Sequence, residues 1–372
     1  MDFNIKRETF LNGIQRTLGI VEKKTTMPIL NNVLIRTDNQ KIKIIASDRE
    51  ISLIADYEAE IIKEGDITIS ARKVYEMIRE MQGDEVNFSV NETHMAKVSC
   101  LKSHYRIPGL PADDFPAVVD GEDSELFKIN GKVLKELINK TSFAMSTDEI
   151  RKNLNGVLLE TENVGSKYHV KMVATDGHRL AVAYVETDSV DFLNLEKGII
   201  IPRKGLSEIR KLVDDEQDAV GIGVNNGMFV IKTNNSTLKV RLIDAEYPDY
   251  KRVIPSETGL MVHFNKDSVL HALRRMNVVS SDRYSSVVMN FTKDKMVLNS
   301  MNPDVGEASD EIDIVYHEDD VTVAFNVNYI IDAIEVIEEK DVFFEIGINK
   351  KPCVVRPVGN DNYLCIVMPL QI

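Results

Sequence analysis

Residues 5–14 read IKRETFLNGI, and this stretch contains the pattern on which the whole chain is built. The apolar residue Ile5 is followed five, eight and nine positions later by Phe10, Gly13 and Ile14, none of which is polar. Offsets of five, eight and nine place side chains on one face of an α-helix. The stretch therefore predicts a short strand that passes directly into a helix with one buried face.

The same arrangement recurs six times along the chain. Counted from the apolar anchor, the fifth position is apolar in every copy, the eighth is never polar, and the ninth is apolar except at Arg210. The anchors are spaced by 60 to 72 residues and are Ile5, Ile69, Ile129, Ile201, Phe264 and Phe325. A fixed period of this size is typical of a chain assembled from structural repeats.

A second set of matches groups these six copies in pairs. LNNVL at 30–34 is matched by LNGVL at 154–158, and ASD at 46–48 is matched by ATD at 174–176. Phe115-Pro116 is matched in the same way by Tyr247-Pro248. All of these offsets lie between 124 and 132 residues. We therefore expect homologous domains that each contain two copies of the repeat.

Between the predicted helices the chain alternates apolar and polar residues around turn signals such as Asn225-Asn226-Gly227. Each half is thus one helix with several antiparallel strands, and the predicted fold class is α+β. The predicted domains span residues 1–123, 124–257 and 258–372.

Composition excludes several classes of protein. The 372 residues are 43% hydrophobic and 28% charged, which is ordinary for a globular chain with a core. No apolar run reaches the roughly 18 residues of a membrane helix, and the start has no secretory h-region. The three cysteines lack C-x-x-C spacing, which argues against a disulfide framework or a zinc knuckle and favours the cytoplasm.

The predicted helices are basic although the chain as a whole is acidic. The net charge is −14, yet each of the first five helices carries more Lys and Arg than Asp and Glu. The sixth reverses this rule with Asp332, Glu335 and Glu338. One basic helix is usually a solvated face, but five equivalent ones indicate a shared basic surface.

Six equivalent helices imply an arc or a ring. At a spacing of about 9 Å, six helices leave a hole of roughly 7 Å, whereas twelve leave about 24 Å, enough for a nucleic-acid duplex. A head-to-tail pair of chains would therefore enclose a duplex. Its basic lining would contact phosphates without recognising bases, and its acidic exterior would repel the duplex into the hole.

Several motifs along the full length of the chain make it resemble the bacterial sliding clamp family, the β subunits of DNA polymerase III. The motifs are MPIL at 27–30, LPADDFP at 110–116, Arg151 with LNG at 154–156, ATDGHRLA at 174–181, PRK at 202–204, YPDYKRV at 247–253 and VMPL at 367–370.

The resemblance implies a ring-shaped head-to-tail homodimer that slides on double-stranded DNA and confers processivity on the polymerase, without catalysis and without a cofactor. It also implies a cytoplasmic, nucleoid-associated protein. Its implied partners are sequence-independent double-stranded DNA, the DNA polymerase III catalytic subunit, a clamp-loader ATPase and other proteins with a clamp-binding motif. The chain has no P-loop, so an external ATPase would have to load it.

By the same resemblance, a hydrophobic pocket between the second and third domains takes a short linear peptide from each partner. Apolar and Met side chains would form an adaptable slot, and Arg179 and Arg252 could hold the peptide's carbonyls or acidic flanks. The matching positions are Leu154, Thr175, Gly177, His178, Arg179, Leu180, Pro248, Arg252, Val253, Tyr329, Val354, Ile366, Val367, Met368, Pro369 and Leu370. Gln371 stands where some members have a basic residue.

The resemblance also assigns residues to DNA and to the subunit interface. Those expected near DNA are Lys24, Arg72, Lys73, Arg203 and Lys204. Those expected at the interface are Tyr105 and Ile107 of one chain with Arg275, Val278 and Val279 of the other, with acids near Glu307 facing bases near Lys102. Lys152 and Asn153 stand where some members have aromatics, so base stacking is not expected at that loop.

Two other functions are compatible with parts of the sequence. A repeat protein could bind DNA by ordinary surface contact, with high affinity and without a loader. Alternatively, His178 oriented by Asp176 could act as a general base in a hydrolase, although no Ser or Cys nucleophile motif accompanies it. Gly221–Gly227 leads into a predicted strand and not a helix, so it is not a dinucleotide loop.

Overall fold

The predicted strand-to-helix connection is present in all six copies. The computed structural model describes residues 1–21, 27–118, 125–193, 195–214, 219–255, 259–281, 283–347 and 351–371. In every copy the anchor lies in a strand whose last residue directly precedes the first residue of a helix. Asn or Ser ends four of these strands, and its side chain accepts the backbone N–H of Lys73, Lys132, Ser268 or Asn328. Such caps satisfy N–H groups that the first helical turn cannot pair.

Each repeat has the order strand, helix, strand, strand, strand. The first contains β1 (Asp2–Lys6), α1 (Arg7–Thr17), β2 (Asn32–Asp38), β3 (Lys41–Ser47) and β4 (Ile51–Glu58), followed by the extra strand β5 (Glu60–Lys63). The second contains β6 (Asp66–Ser70), α2 (Ala71–Glu80), β7 (Glu85–Val90), β8 (Met95–Cys100) and β9 (Ser103–Pro108). The third contains β10 (Phe127–Asn130), α3 (Gly131–Ser142), β11 (Gly156–Val164), β12 (Lys167–Thr175) and β13 (Arg179–Thr187).

The remaining three repeats follow the same order. The fourth contains β14 (Ile199–Pro202), α4 (Arg203–Asp214), β15 (Ala219–Asn225), β16 (Met228–Lys232) and β17 (Ser236–Arg241). The fifth contains β18 (Leu260–Asn265), α5 (Lys266–Asn277), β19 (Ser286–Thr292), β20 (Lys295–Asn302) and β21 (Gly306–Asp313). The sixth contains β22 (Val321–Asn326), α6 (Val327–Glu335), β23 (Asp341–Ile346), β24 (Cys353–Pro357) and β25 (Tyr363–Val367).

Paired repeats exchange their first strands. The first strand of one repeat is hydrogen-bonded to the strand after the helix in its partner repeat, so β1 pairs with β7 and β6 pairs with β2. The third and fourth repeats do the same through β10–β15 and β14–β11. The fifth and sixth do so through β18–β23 and β22–β19. This exchange makes each pair of repeats one intertwined domain, and the pairing is antiparallel throughout.

The last strands of the repeats join domains into longer sheets. β4 pairs with β17 to make an eight-stranded sheet in the order β10-β15-β16-β17-β4-β3-β2-β6. β13 pairs with β25 to make a second one in the order β14-β11-β12-β13-β25-β24-β23-β18.

These two joints explain why the chain forms two compact units that cut through the third and fourth repeats. The first unit contains 1–134, 191–193 and 204–242, and the second contains 135–190, 194–203 and 243–372. The domain boundaries predicted after residues 123 and 257 lie outside the described residues.

Two last strands, β9 and β21, lie at sheet edges. β9 ends the five-stranded sheet β5-β1-β7-β8-β9, and β21 ends the four-stranded sheet β21-β20-β19-β22. Within the described residues, each has a strand partner on one side only.

The predicted helix faces form the core. All six residues at the fifth position are at most 1% exposed: Phe10, Val74, Leu134, Leu206, Val269 and Ile330. At the ninth position five residues are buried and Arg210 is exposed, as its polarity predicts. Burying an apolar side chain of this size contributes about 1.5–3 kcal/mol, so the repeat pattern is also the pattern of stabilisation. In the described part of the chain, no helix is long and apolar enough to cross a membrane.

Candidate partner-binding site

The site is built on the joint between β13 and β25. Arg179 is paired with Val367 and Leu180 with Ile366, and the backbone N–H of Met368 donates to the carbonyl of His178 over 2.9 Å. The end of β25 is thereby held beside the turn that precedes β13.

A cluster of apolar side chains forms the floor of the site. Its buried members are Leu158, Val173, Leu180, Val182, Ile200, Tyr250, Val354 and Ile366, and Ile243, Tyr247, Ile254 and Leu364 pack against them half-buried. Three of the predicted pocket residues, Leu180, Val354 and Ile366, belong to this cluster. A floor of this composition accepts apolar side chains from a ligand.

Two tyrosines fasten the segment 247–253 over this floor. The Tyr247 hydroxyl donates to the carbonyl of Val173 over 3.4 Å, and the Tyr250 hydroxyl donates to Glu160 Oε1 over 2.6 Å. Burial, reinforced by Glu160, raises the pKa of Tyr250, so its hydroxyl stays protonated and remains a donor. The same segment leaves Val253 48% exposed at the rim.

The turn Thr175–Arg179 is held by one carboxylate. Asp176 Oδ1 accepts the backbone N–H groups of His178 and Arg179 at 2.9 and 3.0 Å, and Gly177 adopts a φ of +90°. The Asp176 carboxylate therefore serves the turn and does not orient the His178 ring. His178 is exposed, and its ring centroid lies 6.4 Å from that of Tyr329.

The guanidinium of Arg179 forms several hydrogen bonds within the chain. It donates to Asp176 over 3.1 Å, to Asp332 over 2.6 Å and to the Phe143 carbonyl over 2.7 Å. The same group lies 4.4 Å from the ring centroid of Tyr329. Arg179 therefore positions Tyr329, and we do not assign it the contact with peptide carbonyls or acids that the sequence allowed.

The C-terminal segment is docked and not frayed. Beyond β25, the backbone N–H of Leu370 donates to the Ala324 carbonyl over 2.8 Å. This bond leaves the side chains of Met368 and Leu370 41% and 42% exposed beside the apolar floor. Exposed apolar side chains on a fixed backbone form a surface that a partner can cover.

The predicted pocket residues thus fall into three groups. The buried members are Leu154, Leu180, Val354, Ile366 and Val367, and three of them, Leu180, Val354 and Ile366, belong to the floor. The accessible members form the rim: Thr175, Gly177, His178, Pro248, Val253, Tyr329, Met368, Pro369 and Leu370. Arg179 and Arg252 are both paired with carboxylates. Arg179 is half-buried, whereas Arg252, which is 2.8 Å from Asp249, is exposed and also belongs to the rim. Tyr247 and Tyr250 are not among the residues predicted for the pocket, although their spacing in YPDY was the available signal.

Family models match the chain in three consecutive segments. They describe the N-terminal, central and C-terminal domains of the DNA polymerase III beta subunit, and they match residues 1–119, 128–249 and 251–371. The beta sliding clamp of Pseudomonas aeruginosa is 31% identical over the full length of both chains.

The chain belongs to the DNA polymerase III beta subunit family.

Solved structures of this family have the same fold. The crystal structure of the DNA polymerase III subunit beta from Pseudomonas aeruginosa matches with a TM-score of 0.91 at 30% identity, and all of both chains is covered. The sliding clamp of Bartonella birtlesii bound to griselimycin matches with a TM-score of 0.94 at 30% identity, again over all of both chains. The chain is therefore a DNA polymerase processivity factor of three clamp domains that binds partner proteins, and it is a non-catalytic accessory subunit.

The basic side chains expected near DNA differ in the hydrogen bonds and ion pairs that they make within the chain. Arg72 and Lys73 lie exposed in the first turn of α2, where Lys73 is 2.9 Å from Glu76. Arg203 donates to the carbonyls of Met145 and Ser146 at 3.1 and 3.2 Å. Lys204 forms an ion pair with the buried carboxylate of Asp48. Lys24 lies outside the described residues.

The residues expected at the subunit interface lie on or beside the two edge strands. On β9, Tyr105 is half-buried and Ile107 is only 6% exposed, so Ile107 belongs to the core of its own chain. Arg275 on α5 donates to Asp310 of β21 over 2.6 Å. Val278 is 77% exposed at the end of α5, and Val279 beside it is half-buried.

Proposed function

We propose that two copies of the chain associate head to tail through β9 of one and β21 of the other, and that the resulting ring encircles double-stranded DNA. The observation that carries the proposal is the pairing of the last strands. Joining β9 to β21 would place four strands, β1-β7-β8-β9, beside β21-β20-β19-β22. That is the order already found in both eight-stranded sheets, with β5 as an addition at one edge. An unpaired strand edge is a template for such an addition.

The charges on the two edges support this pairing. β9 and the turn before it carry Lys102 and Arg106, whereas β21 carries Glu307, Asp310, Glu311 and Asp313. Two basic or two acidic edges would repel, so this distribution favours β9 against β21 and disfavours like pairs. A heterologous contact of this kind closes into a ring when the rotation between the copies permits it.

Exposed apolar side chains lie beside both edges. Leu101 in the turn before β9 is 78% exposed, and Val278 and Val305 near β21 are 77% and 62% exposed. Large apolar groups at such positions contribute free energy when a partner covers them. These apolar side chains would provide most of the binding free energy, and the charges would favour pairing of β9 with β21 over pairing of like edges.

The basic helices would line the hole of this ring. Twelve helices leave about 24 Å, and their Lys and Arg side chains would contact phosphates without recognising sequence. The acidic exception, α6, is compatible with this arrangement because the two acids within it are paired with arginines of the same chain, and Glu338 lies beyond its end. Asp332 holds Arg179, and Glu335 lies 2.7 Å from Arg274 on α5.

The site on the β13–β25 joint would take an apolar peptide segment of the DNA polymerase III catalytic subunit, of a clamp loader and of other proteins with the same motif. Its apolar floor and its exposed Met368 and Leu370 support this assignment. A protein with these partners works on the chromosome, so we place it in the cytoplasm at the nucleoid.

Encirclement is tested by loading the protein on nicked circular DNA with a clamp loader and then cutting the circle. The loaded protein is expected to elute with the intact circle and to be lost after linearisation, because a ring leaves over a free end. Binding that survives linearisation, and that falls steeply with salt, would instead indicate ordinary surface contact.

The peptide site is tested by removing Met368–Ile372. Loss of these residues removes two exposed apolar side chains from the rim, and the affinity for a polymerase-derived peptide is expected to fall at least tenfold in fluorescence anisotropy. The dimer should persist in sedimentation, since neither β9 nor β21 is touched. Replacement of exposed Met95 by Ala is the matched control. Undiminished peptide affinity in the shortened chain would remove the site assignment.

A further inference from the structure

A second groove lies on the other internal joint, between β4 and β17. It has a volume of about 530 Å³, within the range of about 300 to 1,000 Å³ typical of ligand sites. Its apolar lining residues are Pro116, Ala117, Val118, Met228 and Val230. Its polar lining residues are Ser47, Arg49, Ser52, Asn225, Asn226, Lys239 and Arg241.

The groove stands at the same place in the repeat as the peptide site proposed above. β4 pairs with β17 as β13 pairs with β25, and β16 is the repeat equivalent of β24. The turn ASDR at 46–49 corresponds to ATDG at 174–177, and Phe115-Pro116 corresponds to Tyr247-Pro248. The equivalence of position rests on the proposed function, whereas the charge of the groove and the backbone conformation of its turn do not.

The lining of the groove carries three bases and no acid. Arg49, Lys239 and Arg241 contribute positive charge from the β3–β4 turn and from β17. The nearby carboxylate of Asp48 is buried and bound by Lys204, so it does not compensate them. A concave surface with one sign of charge attracts ligands of the opposite sign.

The backbone of Arg49 is held in an unfavourable conformation. Its φ is +77°, in the left-handed region, where the equivalent position of the other turn has Gly177 with a φ of +90°. An arginine in this region is disfavoured relative to glycine because its Cβ crowds the backbone. A large basic side chain kept at a glycine position, at the mouth of a groove, indicates a role for that side chain.

We propose that this groove binds a short peptide segment in which apolar residues are flanked by Asp or Glu. The apolar side chains would cover Val118, Met228 and Val230, and the carboxylates would accept hydrogen bonds from Arg49 and Arg241. Bidentate Arg–carboxylate pairs are among the stronger polar contacts in proteins, and Met accommodates side chains of different shape. The chain would thus carry two peptide sites of different charge, one on each internal joint.

The test uses the full-length protein and a fluorescein-labelled hexapeptide with two central leucines flanked by two glutamates on each side. Arg49→Glu and Arg241→Glu are each expected to weaken binding at least tenfold in fluorescence anisotropy, whereas Lys293→Glu, a reversal at an exposed turn outside the groove, should not. Equal binding by all variants would overturn the proposal. Thermal denaturation followed by circular dichroism distinguishes a loss of peptide binding from a loss of folding in each variant.

Arg49→Gly separates a binding role from a structural one. Glycine relieves the positive φ, so the thermal midpoint should stay the same or rise while peptide binding falls. A lower midpoint with unchanged binding would show that Arg49 is structural and would contradict the proposal.

Two further outcomes would contradict a peptide site in this groove. If removal of Met368–Ile372 abolishes binding of the acidic hexapeptide, the peptide occupies the β13–β25 site, and this inference fails while the proposed function stands. If a twelve-nucleotide oligothymidylate displaces the hexapeptide and is itself weakened by Arg49→Glu, the groove binds nucleic acid and the peptide assignment is wrong.

Discussion

The joint between β13 and β25 and the free edges of β9 and β21 are equivalent places in the repeat, yet they have opposite chemistry. At the joint, paired residues such as Leu180 and Ile366 are at most 2% exposed and belong to one apolar cluster. Along β21, residues alternate between half-buried and exposed and four of them are acids, whereas β9 is mostly exposed with Ile107 as its one buried residue. A permanent joint can rely on burial, whereas the proposed joint between copies would have to open around DNA and would be better served by charges and a few apolar contacts.

The largest expected effect comes from placing a charge in the permanent joint. Leu180→Asp would bury an unpaired carboxylate in the apolar cluster, and we expect a loss of about 4 kcal/mol or more in the free energy of unfolding, measured by urea denaturation with circular dichroism. Leu180→Met, which conserves volume, should cost less than about 1.5 kcal/mol. If the two variants are equally stable, the joint is not the apolar core described above.

A smaller effect, of a different kind, is expected at the edges. Val278→Asp combined with Val279→Asp should cost the single chain much less stability than Leu180→Asp, because Val278 is 77% exposed and Val279 is only half-buried. The same change should raise the dimer dissociation constant about 100-fold, or ~2.7 kcal/mol, in analytical ultracentrifugation. Val164→Asp, at an exposed valine that ends β11, is the control. A double variant that dimerises normally would place the interface elsewhere.

The smallest expected effect concerns the ion pairs that Glu162 of β11 forms with Lys171 of β12 and with Lys251. Burial opposes ionisation of Glu162, but Lys171 and Lys251 donate to its carboxylate and outweigh that effect, so its pKa is held at about 2. Because the folded pKa lies below the ordinary value of 4.5, these ion pairs stabilise the chain above about pH 4.5. The stabilisation is lost as the pH falls from about 4.5 to about 2.

Glu162→Gln should therefore lower the free energy of unfolding by about 1 to 2 kcal/mol at pH 7, after allowance for solvent screening, and should flatten the loss of stability below pH 4.5. Denaturation at a series of pH values measures both effects. Glu92→Gln, at an exposed turn, is the matched control. An unchanged acid slope in Glu162→Gln would show that other groups carry the pH dependence.

Much of the fold was predictable because local pattern and burial coincide. The six anchors, the buried helix faces and even the polar exception at Arg210 follow from residue spacing. The partners of individual charged side chains were not predictable in the same way. Arg179, Arg203 and Lys204 look alike as surface bases, but each is bound to carboxylates or carbonyls distant in sequence. Such partners depend on proximity in the folded chain, and the spacing of residue types along the sequence does not reveal them.

By itself, the sequence determined the number of repeats, the strand-to-helix connection in each, the apolar positions and the basic character of five helices. These properties depend on neighbours within one helix turn or one strand. The exchange of first strands between paired repeats, the pairing of β4 with β17 and of β13 with β25, and the edge positions of β9 and β21 are visible only in the folded chain. Six repeats with the same pattern offer many equivalent strand pairings, and the choice among them is made by long-range packing and by the charges along each edge.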